Sequence, residues 1–381
     1  MTTAGAKKIF ISDIHLGDAR SFGGAHPYGW CRSNIPHLAD FLSEQVSAPE
    51  APEVVILGDL FDEWVIPTDL DPLDSFQAIC DDSDNLPVIN ALRLLAAGGR
   101  LTYVPGNHDM TLSIADPAGT HQFMKTAFPG IHNGSDPGLA DGVYRSGKLA
   151  AEHGNRYTLF NASDTWTNPP SLLPIGYFIS RLVAYKVSRT GTAEDFHDIL
   201  RKFIMKLKGN LNFVKDLFDA VAQDAGLNDA SPIDMKGIAG FPGTVGGIGS
   251  LYEQLIEEWK KHRPDIDWEM AVIGDVGDLH PAAIHVYFSI FGSGQNIVIF
   301  GHTHKADLKK SYILEMAPAV ENIHLDLPCR SIYVNSGTWV DSAPYCTYVE
   351  TQEDATAQRH NVRLLSYYPS KTLLQEGFVK L

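Results

Sequence analysis

The sequence predicts an α/β fold, a mixed β-sandwich flanked by helices, and three observations predict it. Short apolar runs recur, and each stops at a polar, glycine-bearing corner. Helix-patterned segments separate some of them. The C-terminal stretches CRSIYVNSGTWV, CTYVET and NVRLLSYYP have the look of antiparallel strands. The runs are KIFIS before Asp13, EVVIL before Gly58, RLTYV before Pro105 and Gly106, KLAAE before His153 and NIVIF before Gly301. Runs this short, rich in Val, Ile, Phe and Tyr, form buried strands. The helical segments are Asn34–Val46 and Leu86–Gly98.

From about Phe160 to His285 the period changes to that of helices. Leu172, Ile175, Ile179, Leu182 and Val183 fall at helical spacing, as do Phe196, Ile199, Leu200, Phe203, Ile204 and Leu207, then Val214, Leu217, Phe218 and Val221. The glycine-rich KGIAGFPGTVGGIGS is expected to be a loop, and LYEQLIEEWKKH another helix. That loop has neither the Lys-Ser/Thr ending of a phosphate-binding P-loop nor GxGxxG spacing. The expected organisation is a catalytic part in 1–159 and 286–381, interrupted by a helical insertion at 160–285.

Bulk properties narrow the function. The 381 residues are 44% apolar and 20% charged, enough for a large core and too few charges for disorder. A net charge of −16 disfavours nucleic acid or anionic membrane as the main partner. Cys31, Cys80, Cys329 and Cys346 have no CxxC spacing, which argues against a thiolate metal site and for a reducing compartment. MTTAGAKKIFISD lacks the apolar region and cleavage site of a signal peptide, and no stretch approaches the roughly 18–20 apolar residues of a membrane span. A cytoplasmic protein is expected.

The polar residues at the strand ends form one chemical set. They are Asp13 and His15; Asp59 and Asp62; Asn107, His108 and Asp109; His153; and His302 and His304. In open α/β sheets the ligand site lies beyond the carboxyl ends of the strands, so shared edges bring such termini together. Carboxylate, imidazole and carboxamide donors without thiolate suit Mn²⁺, Fe²⁺ or Zn²⁺. A carboxylate such as Asp59 can bridge two ions, and such a pair polarises a phosphoryl group.

DIH, GDLFD, GNHD, HG and GHTH, in this order, resemble the motifs of the calcineurin-like metallophosphoesterases. The resemblance covers roughly residues 8–160 and 286–345. It implies a four-layer αββα sandwich of two mixed sheets and two divalent ions, Mn²⁺ first, with Fe, Zn, Co or Ni as alternatives. Asp13, His15, Asp59 and His304 would hold one ion, and Asp59, Asn107, His153 and His302 the other. His108 would protonate the leaving oxygen, and Asp62 would orient it. The implied reaction is in-line attack by a metal-bridging hydroxide on a phosphomonoester or phosphodiester. GDLFDEW also resembles the corner motif of UDP-diacylglucosamine hydrolases, which cleave a pyrophosphate. This chain has His108 where many of those carry Arg, and its insertion is much longer. A non-catalytic scaffold on the same fold is the other alternative, although every ligand position is retained.

Blander roles compete for some residues. His26, His121, His280 and His324 are expected on the surface or in the core, and Asp109 in a supporting position. VIGDVGDLHP repeats Gly-Asp but leads into the helix PAAIHVYFSIF, which Asp278 is placed to cap. Between Arg181 and Lys215, eight Lys or Arg (181, 186, 189, 201, 202, 206, 208, 215) outnumber three acids. This basic insertion either binds an anionic, partly apolar phosphate ester or is a solvated helix face. The acidic stretch Asp62–Asp84 opposes simple anion steering.

Overall fold

The computed structural model describes residues 5–24, 31–72, 76–110, 119–167, 173–191, 212–235, 238, 240–288, 294–312, 328–341 and 346–381. The strands are β1 Lys8–Ile11, β2 Glu53–Leu57, β3 Leu101–Val104, β4 Tyr144–Ser146, β5 Leu149–Ala151 and β6 Ile297–Phe300, then β7 Asp307–Ser311, β8 Ser331–Asn335, β9 Cys346–Asp354, β10 Arg359–Tyr368 and β11 Thr372–Lys380. They form a six-stranded sheet, β11-β10-β9-β1-β2-β3, and a five-stranded sheet, β4-β5-β6-β8-β7. Within the first, β1, β2 and β3 run parallel, and within the second β5, β6 and β8 do. The remaining pairings are antiparallel, so both sheets are mixed.

The helices are α1 Ile35–Ser47, α2 Gln77–Asp81, α3 Leu86–Ala97, α4 Gly119–Ala127, α5 Ile175–Thr190, α6 Phe213–Asp224, α7 Val245–Leu251, α8 Leu255–His262, α9 Trp268–Asp275 and α10 His280–Ala283. α1 and α3 each carry Pro in the first turn, where its missing N–H costs nothing. In α1, Ile35, Leu38, Phe41, Leu42 and Gln45 are buried, the spacing of one helix face. α5 is buried on most of its circumference and ends at Gly191, whose φ of 69° suits the left-handed turn.

Side-chain alternation along the strands sorts the core into layers. Ile9 and Ile11 of β1 and Val54 and Ile56 of β2 pack with Leu38, Phe41, Leu92 and Leu95 of α1 and α3. Phe10, Val55 and Leu57 point the other way, onto Leu149, Ala151, Ile297 and Ile299 of the smaller sheet. The outer face of that sheet, Ala150, Val298, Phe300 and Tyr333, packs with Phe178, Leu182, Val214, Leu217 and Trp259. The fold is therefore helices, sheet, sheet, helices, and its fourth layer is made largely by described residues between 160 and 285. Among the described residues no helix is long and apolar enough to cross a membrane.

Three sequence expectations need correction. The C-terminal stretches do not form one antiparallel set: β8 lies in the smaller sheet, parallel to β6, while β9 and β10 pair antiparallel in the larger one. The glycine-rich stretch is not all loop, because α7 begins inside it. There the Thr244 hydroxyl accepts from Gly247 N at 3.2 Å and offsets three glycines in the helix that follows. Asp278 does accept from His280 N at 3.0 Å, but the helix it starts is short, and a π-turn over Ile284–Phe288 replaces the expected continuation. The run Phe196–Leu207 lies outside the described residues.

Candidate metal centre

The parallel strands β1, β2 and β3 of one sheet and β5 and β6 of the other end at one place. The ladder between β1 and β2 continues past both strands: Ile14 N and His15 N each donate to Asp59 O at 2.9 Å, and Asp62 N donates to Leu16 O at 2.8 Å. The first and second corners are thus one hydrogen-bonded unit. The two sheets meet where His302 N donates to both carboxylate oxygens of Asp13, at 3.0 and 2.9 Å. Glycines permit this closeness. At Gly58, with φ 79°, a Cβ would meet His153 Nδ1 at 2.7 Å, and at Gly106 it would strike the Asp59 carboxylate.

Of the seven expected ligands, five stand on left-handed backbone: Asp13 (φ 53°), His15 (55°), Asp59 (52°), His302 (71°) and His304 (58°). Each such residue costs about 1–2 kcal/mol, a large sum against the roughly 5–15 kcal/mol by which a domain is stable. The main-chain bonds above and Thr303 N to Gly301 O, at 2.8 Å, hold that strain in place. Strain of this kind collects where side chains must be aimed.

Among the described residues, three clusters bring ligand atoms within 4.8 Å of one another: Asp13, His15 and His304; Asp59, His153 and His302; and His15, Asp62 and His108. In the first, His15 Nε2 lies 3.0 Å from His304 Nε2, and His304 Nε2 lies 3.4 Å from Asp13 Oδ1. In the second, His153 Nε2 lies 2.9 Å from Asn107 Oδ1, 3.2 Å from Asp59 Oδ2 and 3.3 Å from His302 Nδ1. The same Asp59 Oδ2 is 3.8 Å from His15 Nε2 and so stands between the two groups.

The tautomers decide what these contacts are. His153 Nδ1 faces Leu57 O at 2.7 Å and donates to it. In the neutral ring Nε2 then carries a lone pair, and it faces two acceptor oxygens. His15 Nδ1 donates to Asp62 Oδ2 at 3.0 Å, so its Nε2 likewise turns a lone pair toward His304. Atoms this close need a proton or a metal ion between them, and with the rings neutral the borderline nitrogen beside carboxylate and carboxamide oxygen fits a divalent transition metal. The residues present fit the expected group.

Charge follows the same geometry. Burial opposes the ionised form of Asp59, but His153 and His108 beside it outweigh burial and hold it well below the usual carboxylate range. Burial also works against a charged His153, yet Asp59 raises it to about 9. Asp13 is lowered despite burial, through its bond to His304. Burial lowers His15, whereas in His108 the carboxylates of Asp62 and Asp59 overcome burial and raise it. Asp62, also buried, is held low by His108 and His15.

Asp62 accepts from two rings at once, His15 Nδ1 on one oxygen and His108 Nδ1, at 2.8 Å, on the other. The sequence linked it only to His108. Asp109 ties corners together, accepting from Phe61 N at 2.9 Å and from Leu60 N and Gly106 N at 3.3 Å, and burial beside Asp59 pushes it up to about 6. Sequence reasoning missed a sixth corner, after β8. Asn335 Nδ2 donates to Gly301 O at 2.6 Å, Thr338 Oγ1 to Asp13 O at 2.8 Å, and Ser336 Oγ lies 2.7 Å from the Ser12 hydroxyl that bonds Asp13. The polar NSGT at the end of that strand was the available signal.

Of the basic residues between 181 and 215, the four that are described pair away from this site. Arg181 is buried among carbonyls, and Lys186, Arg189 and Lys215 pair with Asp224, Asp69 and Asp219 at 2.6, 2.5 and 2.5 Å. The other four lie outside the described residues, as do His26 and His324. His280 lies against Tyr333, with ring centroids 5.2 Å apart. A cleft of ≈ 350 Å³ borders His153 and Gly106, with Pro105, Met110, His121, Arg156 and Ser163 in its walls.

A family model described as calcineurin-like phosphoesterase matches residues 6–202. A solved structure of a conserved uncharacterized protein from Streptococcus pneumoniae, titled a predicted phosphoesterase, aligns over 100% of both chains at 9% identity with a TM-score of 0.30, too weak a likeness to carry an argument. No curated protein matches the chain.

Proposed function

This chain belongs to the calcineurin-like phosphoesterase family, and from that premise we propose that it hydrolyses phosphomonoesters or phosphodiesters at a centre of two divalent ions. The observation that carries the reading is Asp59 Oδ2, which faces His15 Nε2 on one side and His153 Nε2 on the other. Asp13, His15 and His304 would complete one ion's ligands, and Asn107, His153 and His302 the other's, with Asp59 shared. When bound, such ions polarise phosphoryl oxygens and make water a nucleophile at neutral pH.

The chain's own part is orientation and proton transfer. Asp62 takes Nδ1–H of His108, so His108 Nε2 is the nitrogen that serves the substrate. The oxygen of a water that has released one proton to solvent bonds to phosphorus in line as the P–O bond to the leaving group breaks. The proton on His108 Nε2 passes to the departing oxygen, and the ring is left neutral with Nδ1–H still on Asp62. The cleft beside His153 has room for the ester's organic part, and its mixed walls favour a partly polar group.

We take residues 1–159 and 286–381 as the catalytic part and 160–285 as an insertion. The cytoplasm is the proposed location, in keeping with four buried free cysteines. Metal analysis combined with turnover of nitrophenyl phosphate and bis-nitrophenyl phosphate in Mn²⁺ tests the reading. Two bound ions and hydrolysis of one ester class are expected. No turnover with any divalent ion would instead make the protein a scaffold.

A further inference from the structure

Two residues beyond Asp62, Trp64 lies fully buried against His108, with ring centroids 4.4 Å apart and planes 25° from parallel. Its main-chain N–H donates at 2.9 Å to Asp62 Oδ1, the oxygen that also holds His108 Nδ1. Tyr177 of α5 meets the indole edge-on, at 5.8 Å and 90°. One helical turn further, Arg181 is 0% exposed. Its Nε donates to Ile66 O at 3.1 Å, Nη2 to Pro67 O at 3.0 Å and Leu70 O at 2.8 Å, and Nη1 to Asp234 O at 2.6 Å.

Two physical points give this arrangement a meaning. A hydrogen bond at Nδ1 fixes where an imidazole points but lets the ring turn about that bond, which swings Nε2. A stacked indole fixes the plane. Second, burying a guanidinium costs several kcal/mol, and a well-packed apolar side chain fills core space without that cost. What only a planar fork of donors supplies is a hold on several carbonyls together. Three of the carbonyls held here belong to the segment that follows Trp64.

We propose that helix α5 of the insertion sets the ring of His108: Arg181 and Tyr177 hold the segment 64–70, and Trp64 is the positioning residue that keeps His108 Nε2 on the leaving oxygen. This rests on the reading of His108 as proton donor. The insertion then acts on the chemistry through packing, without touching the phosphoryl group.

The test uses leaving groups. A nitrophenolate departs without a proton, whereas a phenyl ester needs one. The esters are nitrophenyl and phenyl phosphates of whichever class, mono- or diester, the wild type turns over. Trp64→Leu should lose roughly 10- to 100-fold more kcat on the phenyl than on the nitrophenyl ester, with both metals retained. Trp64→Phe should recover most of that selective loss, and Arg181→Lys should show a smaller one of the same kind. In the zinc-loaded protein, the His108 ring protons, assigned by their absence in His108→Ala, should lose their upfield ring-current shift in Trp64→Leu. An equal loss on both esters would overturn the proposal and leave Trp64 a packing residue, and loss of metal would overturn it by placing its effect on the centre. If Trp64→Leu does not fold, the same ester ratio in Trp64→Phe and Arg181→Lys decides. The underlying reading fails separately, if His108→Ala is indifferent to the leaving group.

Discussion

The strand-end site and the proposed insertion both bury polar groups, but they satisfy them in different ways. In the site, side chains face side chains: His15 lies against His304, and His153 against Asn107 and Asp59. In the insertion, buried polar groups are spent mainly on the main chain. Arg181 donates to four carbonyls, Asp275 accepts from Phe160 N at 3.0 Å, and the Tyr252 hydroxyl donates to Leu173 O at 2.7 Å. The first pattern gathers potential ligand atoms around a common point, which suits a divalent metal. The second ties side chains to main-chain groups, so it holds segments in place. Burial of polar residues alone would not have separated the two regions; the identity of their partners does.

The contrast is open to direct attack. Asp59→Ala should remove both turnover and metal loading, seen by metal analysis of the purified variant, because both halves share that carboxylate. His108→Ala should lower kcat by about 10²–10⁴-fold while both ions stay bound; loss of the metals would mean that the ring belongs to the ligand set. Asp62→Asn should fall between these. A carboxamide offers one acceptor oxygen to two Nδ1–H groups, so the rate should drop and metal affinity should weaken by roughly 10–100-fold, read by competition with a chelator.

The insertion should respond in stability instead. Burial pushes Asp275 up to about 8, although Phe160 N and Asn161 Nδ2 donate to it. The folded protein thus keeps a proton that the unfolded chain releases near pH 4. Stability falls as pH rises from about 4 toward about 8, and Asp275→Asn removes that slope. Urea midpoints should show the variant gaining on the wild type as pH increases, with metal loading unchanged. A variant that lost its metals would erase the distinction between the two regions.

How far the sequence could be read follows from how local each signal is. An apolar run ending in Gly-Asp or Gly-Asn-His is contained in ten residues, so five corners and the strands behind them were visible. β7 and β11 were not, because DLKKS and TLLQEGFVK lie at sheet edges, where polar residues face water and the alternation fades. The double duty of Asp62 joins residues from two corners, and no spacing announces it. Trp64 has the composition of a core residue, and only its stacking on a ring far along the chain reveals another use. The basic run in the insertion showed the converse: four of its charges are matched by carbonyls or carboxylates that the sequence could not assign.

The pairing of β5 with β6 bears on any attempt to trim this protein. The two strands are parallel neighbours, and His153 follows one while His302 follows the other. The chain must therefore travel back along the sheet between them, and residues 160–285 lie on that return path. A parallel crossover needs a dozen or more residues. A minimal variant that cuts the insertion to a tight turn would reverse β6 or expel it from the sheet, and His302 and His304 would leave with it. Shortening by design has to preserve a helical return route before it preserves anything else.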